Sequence, residues 1–138
     1  MTAKIAIYSD GGSRGNPGPS AIGVLICDAE GNELQEYHEV IGEGTNNIAE
    51  YTAVLVGLDL AKALGAKDID YYVDSELVAK QMSGQYRVKA AHIKTLFNLI
   101  KTKEKQFDQI RFHHVPRTHE RLRYVDKLVN RALDEAGH

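Results

Sequence analysis

The sequence holds one cysteine, no tryptophan and three prolines in 138 residues. A lone cysteine excludes an internal disulfide and any zinc site built from several thiolates. Cys27 closes the apolar run Ala21-Ile22-Gly23-Val24-Leu25-Ile26, a setting that predicts a buried core thiol. No apolar stretch approaches the roughly 20 residues of a membrane span. Met1-Thr2-Ala3-Lys4 lacks the long apolar segment of a secretory signal. The expectation is a soluble, cytoplasmic chain. Linkers, repeats and low-complexity segments are missing too, so residues 1–138 are expected to form one domain, long enough to close one core.

What is present is unevenly spread. Hydrophobic residues make up 43% and charged residues 26%, both ordinary for a globular chain. The net charge of −2 hides an asymmetry: residues 87–131 carry 12 of the 17 Lys/Arg and 4 of the 19 Asp/Glu, a balance of +8. The remainder carries 5 basic and 15 acidic residues, a balance of −10. The basic part suits a polyanion and the acidic part suits a metal, although two solvated faces would give the same numbers.

Alternation and periodicity place the elements. Residues 4–9 read as a strand ending at a turn, Asp10-Gly11-Gly12. Residues 20–27 read as a second strand, 28–32 as a hairpin turn, and about 33–41 as a third strand. Ile48, Tyr51, Val54, Leu55 and Leu58 recur at a period near 3.6, which predicts a helix over 47–64 stopped by Gly65. A fourth strand follows at 69–73, and Asp74-Ser75 cap a short helix reaching Met82. Gly84 breaks that helix. A longer one spans about 89–105, with Ile93, Leu96, Phe97 and Ile100 on one face. A fifth strand at 109–115, a loop over 116–121 and a helix over about 124–136 complete the order βββαβααβα. That order predicts an α/β fold: a mixed five-stranded sheet, three antiparallel strands and then two crossover strands, flanked by helices.

Four acids stand where such a fold binds ligands. Asp10 and Asp74 end strands, and Glu50 and Asp126 fall in the first turns of helices, so all four can meet at one sheet edge. Each also has an ordinary role, as turn residue, helix cap or partner of a helix dipole. Together in one cleft, carboxylates raise each other's pKa and stay ionised near neutral pH only with divalent cations between them. Hard oxygen ligands suit Mg²⁺ or Mn²⁺, and two such ions suit in-line phosphoryl displacement. Gly11-Gly12-Ser13-Arg14-Gly15 has the spacing of a serine-hydrolase elbow, but two prolines and a strand follow instead of a helix. No glycine-rich phosphate loop ending in Gly-Lys-Ser/Thr occurs. The glycine-rich turn Gly11-Gly12-Ser13 still allows backbone groups to approach a ligand. Thr45-Asn46-Asn47 reads as a helix cap whose hydroxyl and amides could also touch phosphate, base edges or 2′-OH groups.

These segments resemble type 1 ribonucleases H. The resemblance is carried by Tyr8-Ser9-Asp10-Gly11-Gly12-Ser13 with Gly15-Asn16-Pro17-Gly18, and by Thr45-Asn46-Asn47-Ile48-Ala49-Glu50-Tyr51. Val73-Asp74-Ser75-Glu76-Leu77-Val78 and the helix from Asp126 to Ala132 complete it, in the family's order over nearly the whole chain. It implies endonucleolytic hydrolysis of the RNA strand of RNA–DNA hybrids with two metal ions per site in the substrate complex, leaving 5′-phosphate and 3′-OH ends. Asp10, Glu50, Asp74 and Asp126 match the family's four metal-binding acids. Asn16, Asn46 and Asn47 match hybrid-contacting positions, and Thr45 matches a residue of a phosphate pocket for the DNA strand.

The chain departs from the family in places. Glu76 stands where some members carry Gln for a base contact. Residues 115–126 form a longer connection than the compact version and lack the Asn usual just before the last acid. His119 is the candidate for a loop histidine that assists product release or relays a proton, and Arg117 is the alternative electrostatic partner. His113 and His114 alternate on a strand, so one is expected to face the core, and neither is read as catalytic. Residues 84–89 run directly into the next helix, leaving no room for the basic protrusion of other members. Arg87, Lys89, Lys94, Lys101, Lys103 and Lys105 would replace it in part, with modest and salt-sensitive affinity. The expected partner is an RNA–DNA hybrid, with double-stranded RNA a further candidate, and the expected state is a monomer. Two other readings remain open. One is a duplex-binding module that has lost catalysis; the other is a related nuclease acting on double-stranded RNA or junctions.

Overall fold

The structure is a computed structural model and describes residues 3–138; Met1 and Thr2, part of the segment read above for a targeting signal, lie outside them. Its elements are β1 (Lys4–Ser13), β2 (Gly18–Asp28), β3 (Glu33–Gly44), α1 (Asn46–Ala63), β4 (Asp68–Val73), α2 (Glu76–Met82), α3 (Ala91–Glu104), β5 (Gln109–His114) and α4 (Glu120–Glu135). The strands form one sheet in the order β3-β2-β1-β4-β5. β1, β2 and β3 pair antiparallel, and β4 and β5 run parallel to β1 and to each other.

Alternation explains which side each strand buries. Ile5 and Ile7 of β1, Val24 and Ile26 of β2, and Ile69, Tyr71 and Val73 of β4 face one side. There Tyr51, Val54, Leu58 and Ala61 of α1 and Ile93 and Ile100 of α3 close the main core. The other face of β2 packs under α4: Leu25 and Cys27 against Val125, and Ala21 against Val129, Ala132 and Leu133. The interior strand β2 is therefore buried on both faces, and Cys27 is the buried thiol its neighbours predicted. α1 lies close over the sheet because residue 57 is glycine. A Cβ there would stand 2.4 Å from the Tyr71 hydroxyl, which is itself held by Ser9 Oγ at 2.8 Å. Among the described residues, no helix is long and apolar enough to cross a membrane.

The element order is the expected one, but several boundaries differ. β1 does not stop at a turn after Ser9; pairing with β2 continues through Asp10↔Gly23, Gly11↔Ile22, Gly12↔Ala21 and Ser13↔Ser20. A partner strand thus carries the glycines as extended chain. α1 starts at Asn46, so Glu50 lies at the head of its second turn rather than in the first. α4 starts at Glu120 rather than near 124, because the His119 side chain caps it by accepting from the Arg121 amide at 3.2 Å. Asp126 consequently falls in the second turn. Neither His113 nor His114 enters the core. β5 is an edge strand; His113 reaches Asp70 Oδ1 at 2.8 Å on the sheet face away from α1, and His114 is exposed.

Candidate active site

Strand register brings the first two acids together. Parallel pairing matches Tyr8 of β1 with Tyr72 of β4, and two residues further along each chain stand Asp10 and Asp74 on the same face. Glu50 arrives from above, on α1. Residue 11 has to be glycine for this approach: a Cβ would fall 2.2 Å from the Ala49 carbonyl carbon and 2.6 Å from the Glu50 nitrogen. Asp10, Glu50 and Asp74 each offer a carboxylate oxygen, all within 4.8 Å of one another. Asp126 lies outside that tight set. It approaches from α4 and raises the pKa of both Asp10 and Asp74 by repulsion.

The electrostatics follow from burial first and repulsion second. Burial, then the charges of Asp74, Asp126 and Glu50, push Asp10 up to about 8, against one opposing hydrogen bond from the Gly11 amide at 2.9 Å. Burial also lifts Glu50 to about 7, opposed by a hydrogen bond from Ser75. Asp74 is raised by burial as well and is partly relieved by Arg117. The Arg117 Nε lies 3.5 Å from Asp74 Oδ2, with the Arg117 side chain 83% exposed and that of Asp74 6%. Three hard oxygens this close, withdrawn from water and short of positive charge, fit a divalent cation such as Mg²⁺ or Mn²⁺.

The other residues singled out in the sequence form two groups around the acids. In the first, the Ser13 amide donates to Asn46 Oδ1 at 2.8 Å, and the Asn46 amide donates to Asn16 Oδ1 at 3.0 Å. The Ser13 hydroxyl donates to the Gly44 carbonyl at 3.0 Å, and Thr45 Oγ1 caps α1 by accepting from the Ile48 amide at 3.2 Å. Asn47 keeps a buried Oδ1 without a hydrogen-bond partner. Thus the β1–β2 turn and the start of α1 make one hydrogen-bonded rim. In the second, Glu76 opens α2 and pairs with Lys80 at 3.6 Å. His119 is not part of the carboxylate cluster. Besides its cap, its ring stacks on Tyr8 at 5.7 Å, which ties it to the start of α4; from the same loop, Arg117 is the side chain that reaches an acid. Residues 83–90 pass from α2 to α3 with no intervening helix. Of the basic residues expected to replace a protrusion, two on α3 are engaged within the fold: Lys101 donates to the Met82 carbonyl at 2.6 Å and Lys103 pairs with Asp59 at 2.6 Å.

Sequence reasoning missed the layer behind the acids. Tyr8 and Tyr72 stack at 4.8 Å, and Tyr72 stacks on His113 at 4.8 Å. The signal was available: both tyrosines stand two residues before an acid on a strand, hence on its face. It missed Asn130 as well, whose side-chain nitrogen lies 3.4 Å from Asp126 Oδ2.

Comparison with known proteins agrees with this architecture. A family model described as reverse transcriptase-like matches residues 8–132. The bifunctional protein Rv2228c of Mycobacterium tuberculosis is 42% identical over 135 residues, 97% of this chain and 36% of that protein. Ribonuclease HI of Halobacterium salinarum is 38% identical over 134 residues, 96% of this chain and 66% of that one. The crystal structure of LC11-RNase H1 in complex with RNA/DNA hybrid superposes with a TM-score of 0.91 at 40% identity, covering 97% of this chain and 99% of that one. The chain spans about a third of the length of the first curated relatives it matches. On its sheet order, its motifs and these matches, the chain belongs to the reverse transcriptase-like family and, within it, to the type 1 ribonucleases H.

Proposed function

We propose that this chain hydrolyses the RNA strand of RNA–DNA hybrids endonucleolytically, with two divalent cations, Mg²⁺ or Mn²⁺, leaving 5′-phosphate and 3′-OH ends. The observation that carries the reading is the cluster of Asp10, Glu50 and Asp74 oxygens within 4.8 Å. The hybrid as substrate is supported by family membership and by the LC11-RNase H1 complex with RNA/DNA hybrid. The reading takes residues 1–138 as a single domain acting as a monomer.

Asp10, Glu50, Asp74 and Asp126 would hold the ions. When bound, such ions supply positive charge to the scissile phosphate and lower the pKa of water. The chain's own part is positioning. Burial and repulsion store a demand for cations in the acids, so an ion is held without the chain rearranging. Arg117, exposed and already beside Asp74, can bring its guanidinium to a phosphate oxygen. Ser13, Asn16, Thr45, Asn46 and Asn47 form the rim along which the duplex would lie, its exposed amides and hydroxyls available to phosphate and 2′-OH groups. Gly11, which lets α1 approach β1, and Gly12 belong to the same substrate-contacting stretch in this reading, and Glu76 at the start of α2 is assigned to a base contact.

The test is Asp74→Asn. Its hybrid cleavage should fall by about a hundred- to a thousandfold, as removal of a charge-stabilising group in an active site does. Its circular dichroism and its hybrid binding in Ca²⁺ should stay near those of the parent. Undiminished cleavage by the variant contradicts the proposal.

A further inference from the structure

Of the four acids, Asp126 comes from α4, whose backbone is set close over β2 at Gly23, the register partner of Asp10. A Cβ there would stand 2.8 Å from the Val125 carbonyl oxygen, but this contact does not reach the Asp126 carboxylate. Asp126 lies outside the tight cluster, half-buried on a turn of α4 whose inner side packs Val125 and Leu128. Among the described residues, one side-chain donor reaches its carboxylate: Asn130, a turn later, whose Nδ2 lies 3.4 Å from Asp126 Oδ2 and 3.1 Å from the Asp126 carbonyl. The amide of Asn130 is oriented from its other end. Arg14 of the β1–β2 turn brings NH2 to 3.4 Å from Asn130 Oδ1 and to 3.4 Å from the Asn130 carbonyl. Arg14 in turn is anchored by NH1 at 2.7 Å from Asp134 Oδ1.

The order of charges along this chain of contacts has only one favourable arrangement. A guanidinium needs an acceptor and a carboxylate needs a donor, so an amide between them must point its oxygen at Arg14 and its nitrogen at Asp126. Turned over, it would place N–H against N–H and oxygen against oxygen. The row Asp134–Arg14–Asn130–Asp126 is therefore self-consistent in sign throughout. It also joins two parts of the site that the sequence separates by more than a hundred residues: Arg14 sits between Ser13 and Asn16 on the rim, and Asp126 faces the acids. Groups that orient a ligand from behind commonly change metal affinity or activity by about 10- to 100-fold when removed.

We propose that Asn130 is a positioning residue that aims the Asp126 carboxylate at the Asp10–Glu50–Asp74 cluster, and that Arg14, braced by Asp134, aims Asn130. The proposal rests on the reading of these acids as metal ligands. It also gives the rim a mechanical link to the acids, because displacement of the β1–β2 turn moves Arg14 and with it the Asn130 amide.

The test uses Asn130→Ala, Asn130→Gln, Arg14→Gln and the pair Asn130→Ala/Arg14→Gln in the full chain. Position 130 is exposed and helical, so alanine should not lower the melting temperature in chelator. Two quantities are read: Mn²⁺ affinity by calorimetry without nucleic acid, and the Mg²⁺ concentration that gives half-maximal cleavage of a hybrid. Asn130→Ala should weaken the first and raise the second by about tenfold, the lower end of the range above. Gln reaches a carboxylate one turn away on a helix, so Asn130→Gln should restore most of both. Arg14→Gln should have a smaller effect in the same direction, and the double variant should be no worse than Asn130→Ala alone. Unchanged metal affinity and half-saturation in Asn130→Ala overturn the proposal, as does strict additivity in the double variant. A parent chain that binds Mn²⁺ yet cuts no hybrid would count against the proposed function instead, and the calorimetric arm would still decide the role of Asn130.

Discussion

Replacing Asp10 by asparagine should stabilise the metal-free protein, by an amount that depends on pH. Burial and three neighbouring acids raise Asp10 from 3.8 to about 8. A carboxyl whose folded pKa lies above its unfolded one favours folding most below the unfolded value. That advantage is lost as pH rises through the folded value, here between about pH 4 and pH 8. At pH 7 the folded state must keep a proton that the unfolded state has released. The gap between pH 7 and 3.8 corresponds to about 4 kcal/mol at 1.36 kcal/mol for each pH interval of one. Part of the shift comes from the charges of neighbouring acids, so we assign roughly half of this, ~2 kcal/mol, to Asp10 itself. Asparagine keeps the shape and the acceptor for the Gly11 amide but cannot ionise. For a domain of this size ~2 kcal/mol corresponds to roughly 6 °C. The assay is thermal unfolding of parent and Asp10→Asn in chelator from pH 4 to pH 8. The variant should melt roughly 6 °C higher at pH 7.5, and the two should converge towards pH 4. Millimolar Mg²⁺ should narrow the gap, because the parent gains more from binding. A variant less stable at pH 7.5, or a gap that does not change with pH, would refute the electrostatic reasoning.

Other perturbations follow from the same structure. Gly57→Ala drives a Cβ to 2.4 Å from the buried Tyr71 hydroxyl and should cost about 2 kcal/mol in denaturant unfolding; adding Tyr71→Phe removes the clashing oxygen and should recover part of it. His119→Ala removes the cap of α4 and should cost about 1 kcal/mol, whereas His119→Asn, also a good cap, should restore it. Turnover should change less than tenfold in either. A collapse of turnover with stability intact would return His119 to the catalytic group.

The sequence revealed the order of elements because the two periodicities are local. Alternation in residues 4–9 and 69–73 and the 3.6-residue period from Ile48 to Leu58 need no tertiary knowledge. Element ends were less legible, since distant partners set them. Gly11 and Gly12 look like a turn until β2 is paired beside them. The start of α4 rests on a histidine cap, which is not among the usual capping residues. Those two boundaries shift Asp10 into a strand and Asp126 into a second turn. The meeting of Asp10 and Asp74 follows from parallel register, and the approach of Glu50 from a bare glycine backbone. Neither is written in local pattern, and all three acids were found through motif and placement. Arg117 beside Asp74 and Arg14 beside Asn130 are contacts between remote segments, which no spacing rule predicts.

The most direct test of the central claim compares four end-labelled substrates side by side: RNA–DNA hybrid, double-stranded RNA, double-stranded DNA and single-stranded RNA. Each is incubated with Mg²⁺, with Mn²⁺ and with chelator. The account predicts metal-dependent cutting within the RNA strand of the hybrid, abolished by chelator, with 5′-phosphate and 3′-OH at the new ends. Hybrid that is bound but left uncut in every condition would contradict it.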